Sequence, residues 1–387
     1  MKKVGIITLN GNFNYGNRLQ NYALQQIIKN NGYMPETIIN VTRVNNEVKN
    51  ECKSNVELFI SGDLTMKINI IVNKIIYDFN KINIIKKNIE KKSYKIKCKR
   101  EEIFKEFSKK FINETKFSIS ANNIPVELVN KYNYFIAGSD QVWNPNDPIV
   151  SEINFLTFAP KNKRLSYAPS FGVSSIDKSN KRRYAEMISG IEKLSVREEE
   201  GAKLIKELTG RDAQVVIDPT MLIDKKEWIS ISKVDKNKPK KKYLLTYFLG
   251  EKSDKTKKKI KYIAKTNKLE VVNLASLNDK KYYLAGPCEF IDYVNDASLF
   301  LTDSFHGCVF SLMLQTPFIV FYRESQNHNN IMNSRIDTFI KKFKLESRKF
   351  ENINKVDLFN YDYEEAYEIL EIEKVKSLNY LKNALNI

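Results

Sequence analysis

The sequence predicts a two-domain α/β protein with a ligand cleft between the domains, and three observations predict it. At 387 residues the chain is too long for one ordinary core and fits two domains of roughly 150–200 residues each. Short strand-like apolar runs alternate with amphipathic helical stretches along most of its length. A lysine-rich stretch poor in apolar residues, Lys233–Lys242, interrupts that rhythm before it starts over. We place the first domain at residues 1–225 and the second at 226–387. Two successive α/β domains of similar length leave a cleft in which ligands usually bind.

The first domain opens with an apolar run, Val4–Leu9, behind Met1-Lys2-Lys3. This has the outline of a signal peptide, but the run is six residues long and stops at Asn10-Gly11-Asn12 without a cleavage site. It reads as a buried first strand. A helix follows from about Gly16 to Asn31, with Leu19, Tyr22, Ala23 and Ile27 on one side and Gly32 as its stop. A strand near Thr37–Val41 completes the first half-turn of a doubly wound sheet. Residues 45 to about 125 break the pattern and read as a basic helical insertion. Ile68, Val72, Ile75, Ile76, Phe79 and Ile82 recur at helical spacing, and Lys81–Lys110 carries twelve Lys/Arg against four acidic residues. The rhythm resumes with strands at Tyr134–Ala137, Leu165–Ala168, Lys193–Val196 and Ala213–Ile217, separated by helices near Asn180–Ser189 and Glu198–Thr209.

The second domain starts at Tyr243–Phe248, followed by a helix over Ser253–Thr266. Strands at Leu269–Leu274, Leu299–Thr302 and Phe318–Phe321 come next, and Tyr363–Leu385 reads as one or two helices.

Composition narrows the function. The cysteines Cys52, Cys98, Cys288 and Cys308 form no CxxC pair and are too sparse for a disulfide framework, so the cytoplasm is the expected compartment. With only His306 and His328 available, a zinc site of His/Cys type is not expected, and no metal is assigned. The net charge of +18 has two readings. The Lys, Ile and Asn richness is what a low-GC genome writes into protein. The charge also suits phosphorylated small molecules or an anionic membrane face. No aromatic–basic nucleic-acid motif occurs, so a nucleic-acid partner is disfavoured.

Four segments carry candidate chemistry. The loop holding Asn14, Tyr15 and Asn17 joins a strand to a helix N-terminus, which suits anion or sugar binding through free N–H groups. Asn and Gly also collect in turns for conformational reasons alone. After the strand ending at Ala137, the residues Ser139, Asp140, Gln141 and Asn144 lie beside Trp143. They are either a sugar site or an Asx-type turn with Trp143 in the core. Arg197 stands at a strand end before a helix, able to present its fork to phosphate or carboxylate, or to pair with Glu198–Glu200. Thr302-Asp303-Ser304-Phe305-His306-Gly307 places a histidine just past a strand, where it can act as general acid or base or sit satisfied in the core.

Together these segments resemble the polysaccharide pyruvyl transferase family. The matching pieces are Asn14-Tyr15-Gly16 with Leu19-Gln20 and Ala23-Leu24, Ala137–Asn144, Ser166-Tyr167-Ala168, and Ser195–Glu198. Val216–Pro219 and Leu301–Gly307 followed by Pro317-Phe318 continue the series in one consistent order. The resemblance implies a fold similar to the GT-B glycosyltransferases, two Rossmann-like domains facing across a cleft. It also implies transfer of pyruvate from phosphoenolpyruvate, as co-substrate and without further cofactor, to two hydroxyls of a sugar. Arg197 matches the family's arginine and His306 its histidine. Many members carry arginine two positions before that histidine, where this chain has Ser304, so Arg335 or Arg323 must substitute, or another donor is used.

On this basis His306 and Arg197 are the expected catalytic residues. Arg197, Arg335, Ser304 and Gly307 form the expected donor side, and Asn14, Tyr15, Asn17, Ser139, Asp140, Gln141 and Trp143 the acceptor side. The alternatives are a GT-B-type glycosyltransferase using a nucleotide-sugar donor and an inactive glycan-binding relative. The expected partner is a sugar or a lipid-linked glycan. The apolar Leu64–Ile85 stretch beside the basic run would either rest on an anionic membrane at the inner face of the plasma membrane or pack on the first domain.

Overall fold

The computed structural model describes residues 1–42, 92–147, 150–323 and 333–386. The Leu64–Ile85 stretch, Cys52 and His328 lie outside the described residues. The chain enters through β1 (Lys3–Ile7), α1 (Tyr15–Asn30) and β2 (Met34–Asn40). A helix α2 spans residues 92–111, followed by β3 (Glu114–Ile119), the short α3 (Leu128–Lys131), β4 (Tyr134–Ala137) and β5 (Arg164–Ser166). These five strands form one parallel sheet in the order β3-β2-β1-β4-β5. The connections run outward from β1 to β3 on one side and then cross to β4 and β5 on the other. The loops after β1 and β4 therefore diverge and open a crevice at the carboxyl edge of the sheet.

Next come α4 (Lys178–Ser189), β6 (Ser195–Val196), α5 (Glu199–Thr209), β7 (Gln214–Val215) and α6 (Lys225–Ile231). β6 and β7 pair in parallel, and a bridge between Leu165 and Lys193 ties them to β5. The second half contains β8 (Tyr243–Tyr247), α7 (Asp254–Thr266), β9 (Glu270–Asn273), α8 (Lys280–Tyr283), α9 (Pro287–Asn295) and β10 (Leu299–Thr302). It ends with α10 (Phe305–Leu314), β11 (Phe318–Val320), α11 (Ser334–Lys342) and α12 (Glu364–Leu385). Its sheet is again parallel, ordered β11-β10-β8-β9, with its own reversal between β8 and β10. Both sheets thus carry a switch point.

Three differences from the sequence reading have physical causes. The insertion expected at 45–125 is shorter, because β3 belongs to the sheet, pairing with β2 through Thr37–Glu114 and Asn40–Ile119. Its strand Glu-Thr-Lys-Phe-Ser-Ile has weak alternation, as an edge strand can. Second, α1 is buried nearly all round rather than on one face, including Asn17, Arg18, Gln20, Asn21 and Gln25. Its polar side chains are bonded inward: Gln20 donates to Thr8 at 2.8 Å, and Gln25 to Thr37 at 2.8 Å. Third, the segment expected as one or two helices of the second domain is one helix, α12, and it crosses between the halves. Near its start Tyr367 donates to the Met313 carbonyl at 2.9 Å. Further along, Tyr380 donates to the Ser166 carbonyl at 2.8 Å and the Ser377 hydroxyl accepts from Ile217 N–H at 3.1 Å. The last helix of the chain therefore packs on the first half.

The halves share a continuous core centred on Tyr15. Its ring stacks on Phe290 of α9 at 4.4 Å and lies 5.2 Å from Tyr247, and its hydroxyl donates to the Ala285 carbonyl at 2.9 Å. From α2 the Arg100 guanidinium sits 4.7 Å over the Tyr15 ring and 4.6 Å over Tyr283, and it donates to the Tyr283 carbonyl. Tyr15→Ala should lower stability by ~3–5 kcal/mol in urea unfolding. Tyr15→Phe, which leaves only the Ala285 carbonyl unpaired, should cost ~1–3 kcal/mol. Equal midpoints for Tyr15→Ala and wild type would show that this contact does not hold the halves together.

Candidate functional site

Both crevices empty into one place. The loop after β1 brings Asn14 and Gly16, the loop after β4 brings Asp140, and the ends of β6 and β7 bring Arg197 and Asp218. From the second half, the end of β10 brings Phe305 and His306, and α11 brings Arg335. All of these except Asn14 and Gly16 have titratable or aromatic side chains, and each is at least nine-tenths buried.

Arg197 is the hub. Its Nη1 donates to Asp218 Oδ2 at 2.8 Å, its Nε to Glu198 Oε1 at 3.0 Å and its Nη2 to Asp140 Oδ1 at 3.3 Å. The Phe305 ring covers the guanidinium at 4.4 Å. Arg335 reaches the same Asp140 Oδ1 from the other half at 3.5 Å, and its Nε is buried without a hydrogen-bond partner. Burial pushes the Asp140 carboxyl upward, but Arg197, His306 and Arg335 outweigh it and hold the group below the usual carboxylate range. Asp218 behaves likewise: burial opposes ionisation, and His306, Arg197 and the Thr220 hydroxyl reverse the sign. Burial, reinforced by the Arg197 charge, brings Arg335 down to about 10 despite Asp140 and Glu198. Both arginines remain charged at neutral pH.

The strand-to-helix turn after β10 explains its own sequence. Thr302 donates its hydroxyl to the Tyr247 carbonyl at 2.7 Å and accepts from Ser304 N–H at 3.0 Å. Asp303 accepts from Leu249 and Gly250 N–H at 2.7 and 2.8 Å, tying β10 to the end of β8. Ser304 caps α10 by accepting from Gly307 N–H at 3.3 Å. His306 then projects across to the first half. Its Nε2 stands 3.6 Å from Asp218 Oδ2, just beyond a formed hydrogen bond, and makes no other one. Its other face lies so close to α1 that a Cβ on Gly16 would overlap Nδ1. Gly16 is the residue that lets the two halves meet at the imidazole.

The structure brings together His306, Arg197, Arg335, Asp140 and the Asn14–Gly16 turn, and it gives several of the candidates structural partners. The Ser304 hydroxyl accepts from Gly307 N–H as the cap of α10 and carries no charge. Gly307 is small because any Cβ would lie 2.5 Å from Thr302 Oγ1, a packing reason rather than a binding one. Trp143 is fully buried, stacked on Phe155 at 5.3 Å with its indole N–H donating to the Asn154 carbonyl. It has no face for a sugar, and the core reading of that tryptophan is the correct one. Tyr15 is likewise core. Ser139 is fully buried and donates to Gln20 Oε1 at 2.6 Å, and Asn17 is buried in α1. Gln141 packs against Gly172, where a Cβ would overlap its amide. Asn14 caps α1, accepting from Gly16 N–H at 2.9 Å. Asp218 and Glu198, which complete the ion cluster, were not among the sequence candidates. The Asp-Pro step that ends the Val216–Pro219 piece of the family resemblance is the signal for Asp218.

Among the described residues no group of three or more His, Cys, Asp or Glu side chains could hold a metal ion. None of their helices is long and apolar enough to cross a membrane.

A sequence family described as polysaccharide pyruvyl transferase matches residues 14–325, which include every residue of the cluster except Arg335. No curated protein matches the chain. Among solved structures, UDP-GlcNAc 2-epimerase from Neisseria meningitidis bound to UDP-GlcNAc is similar over 97% of this chain and 100% of its own, at 10% identity and a TM-score of 0.44. MurG from Acinetobacter baumannii is similar over 98% and 95%, at 10% identity and a TM-score of 0.36.

Asp218→Asn removes the charge of the carboxylate bonded to buried Arg197 at 2.8 Å and should cost ~3–5 kcal/mol at neutral pH in urea unfolding. Because the folded Asp218 and Asp140 carboxyls titrate below their unfolded values of about 3.9, their stabilisation is complete above that pH and is lost below it. The gap between wild type and Asp218→Asn should therefore narrow only below about pH 4. A gap that closes between pH 7 and 5 would contradict this assignment.

Proposed function

The chain belongs to the polysaccharide pyruvyl transferase family, and on that premise we propose that it moves a pyruvyl group from phosphoenolpyruvate onto two hydroxyls of one sugar. The acceptor in this reading is a cell-surface polysaccharide or its lipid-linked precursor, and the product is a cyclic ketal. The observation that carries the reading is the convergence of His306 and Arg335 from one half on Asp140, Arg197 and Asp218 from the other, at the carboxyl ends of both sheets.

Transfer needs a proton delivered to the donor's methylene carbon, which leaves an oxocarbenium-like centre. One sugar hydroxyl adds there, phosphate departs, and the second hydroxyl closes the ketal. The two hydroxyl protons end on the new methyl group and on phosphate, so a group that gives and takes protons serves every step. His306 is that group, contributing ~10²–10⁴-fold. Arg197 is not a free clamp, since its N–H groups already serve three carboxylates. Its role in this reading is to hold Asp140 and Asp218 in place. The donor's negative charge then falls to Arg335, with an unpartnered Nε, and to Arg323, whose guanidinium meets Asp303 at 3.4 Å. Ser304, in the position where many family members carry arginine, supplies no charge.

A donor-and-acceptor assay tests the reading. Phosphate should be released from phosphoenolpyruvate only when a glycan acceptor is present, and the product should show the methyl singlet of a pyruvate ketal. Release of nucleotide from a sugar nucleotide instead would replace pyruvyl transfer with glycosyl transfer. His306→Ala should cut turnover at least ~100-fold with little change in unfolding midpoint. Arg335→Ala should weaken donor use more than ~10-fold, the loss of one charge-assisted contact. Full activity of both variants would remove this cluster from the reaction.

A further inference from the structure

A groove of about 770 Å³ lies outside the ion cluster, between α7 and the segment 350–354. One wall is a single stripe of α7, Lys255, Lys258, Lys259 and Tyr262, at the i, i+3, i+4, i+7 spacing of one helix face. The other wall includes Phe350 and Glu351. Tyr262 is 63% exposed. Lys259 lies 5.5 Å from its ring and donates to Asn354 at 2.6 Å, while Lys255 sits 5.8 Å over Phe350. Two ammonium groups therefore lie over two aromatic rings and Lys258 joins them in the lining, with Glu351 as the carboxylate among the lining residues.

This groove is physically continuous with the end of the second sheet. Phe350 stacks on Phe321 at 4.4 Å, and Phe321 meets Phe248 at 5.1 Å. Lys252 stands 5.1 Å over Phe248, and two residues on from Phe248 the Gly250 N–H is held by Asp303 of the β10 turn. Phe248 and Phe321 are buried core rings, so this stack ties the groove wall structurally to the turn that carries His306.

We propose that this groove binds an acidic oligosaccharide stretch, the carboxylate- or phosphate-bearing part of the acceptor glycan remote from the reacting sugar. The proposal rests on the sugar-acceptor part of the reading above. The C–H face of a pyranose buries apolar area on a tyrosine ring, and its acidic substituents meet the flanking lysines. The volume lies within the range of ligand sites. A membrane fits less well. The apolar residues of α7, Ile260, Ile263 and Ala264, are buried against the protein and cannot enter lipid, and the lysines converge on a concavity.

The test uses the full chain and a fluorescent hexagalacturonate probe, with neutral maltohexaose as control. The acidic probe should bind, and at least ~10-fold more weakly as salt rises from about 0.01 to about 0.15 M, where the screening length contracts from ~30 to ~8 Å. Lys258→Glu and Tyr262→Ala, both at exposed positions, should each weaken it at least ~10-fold with unchanged circular dichroism, and should leave phosphate release with a monosaccharide acceptor unchanged. Equal binding of the neutral probe, or wild-type affinity in both variants, overturns the proposal. So does equally strong competition by phosphatidylglycerol vesicles or by a thymidine decanucleotide, which would reassign the groove to lipid or nucleic acid. Because binding is read directly, its failure is distinct from a failure to turn over phosphoenolpyruvate.

Discussion

The buried guanidinium of Arg197 is the constraint on which the site depends. It stands where three separate pieces of the first half end: β4 through Asp140, β6 and α5 through Glu198, and β7 through Asp218. A buried carboxylate without a partner costs several kcal/mol, and so does a buried arginine. None of the four groups is tolerable alone, yet together they are mutually required. The cluster therefore fixes the loop after β4 against the ends of the paired strands β6 and β7. Once those loops are set, the second half has a fixed surface to meet, and it meets it with Arg335 on Asp140 and His306 beside Asp218.

That meeting depends as much on absent volume as on charge. Gly16 and His306 occupy adjoining space at the starts of α1 and α10, helices from opposite halves. A methyl group at residue 16 would drive the imidazole away from Asp218, and a methyl group at residue 307 would push α10 off Thr302. The Tyr15 stack on Phe290 immediately beside this point then converts the close approach into a packed, dry contact. Fold and candidate chemistry are in this way the same set of atoms, and each half supplies groups that the other needs.

How much of this was legible in the sequence follows from the range of each interaction. Strand–helix alternation is a local signal, and it placed both sheets, α1, α5, α7 and the turn holding His306. The order of the strands and the edge strand β3 were not legible, since Glu114–Ile119 owes its state to pairing with β2 rather than to its own pattern. At the site, position after a strand pointed to Arg197 and His306, both of which lie in the cluster. It pointed equally to Ser139, Gln141 and Trp143, which do not, because polar and aromatic residues serve structural turns as readily as ligands. Asp218 went unnoticed for the same reason in reverse. Its importance comes from partners 21 residues before it and on the far half of the chain, Arg197 and His306. Arg335 enters the sequence reading, with Arg323, as a stand-in for the arginine many family members carry where this chain has Ser304, and only the packing of α11 explains how it reaches Asp140.

The charge of the chain also divides by range. In the cluster, two arginines face three carboxylates, so its formal sum with neutral His306 is −1 despite a chain carrying +18. The lysine excess lies elsewhere, as on α7, where lysines recur along an exposed face. Such surface charge is screened over about 8 Å at physiological salt and cannot set the energetics of a buried ion pair. What it can do is raise the local concentration of anions near the surface and quicken their encounter. The interior is governed by short contacts whose geometry is specific, and the exterior by a field whose sign alone matters. Surface charge and the arrangement around Arg197 are in this way decoupled by distance and by solvent.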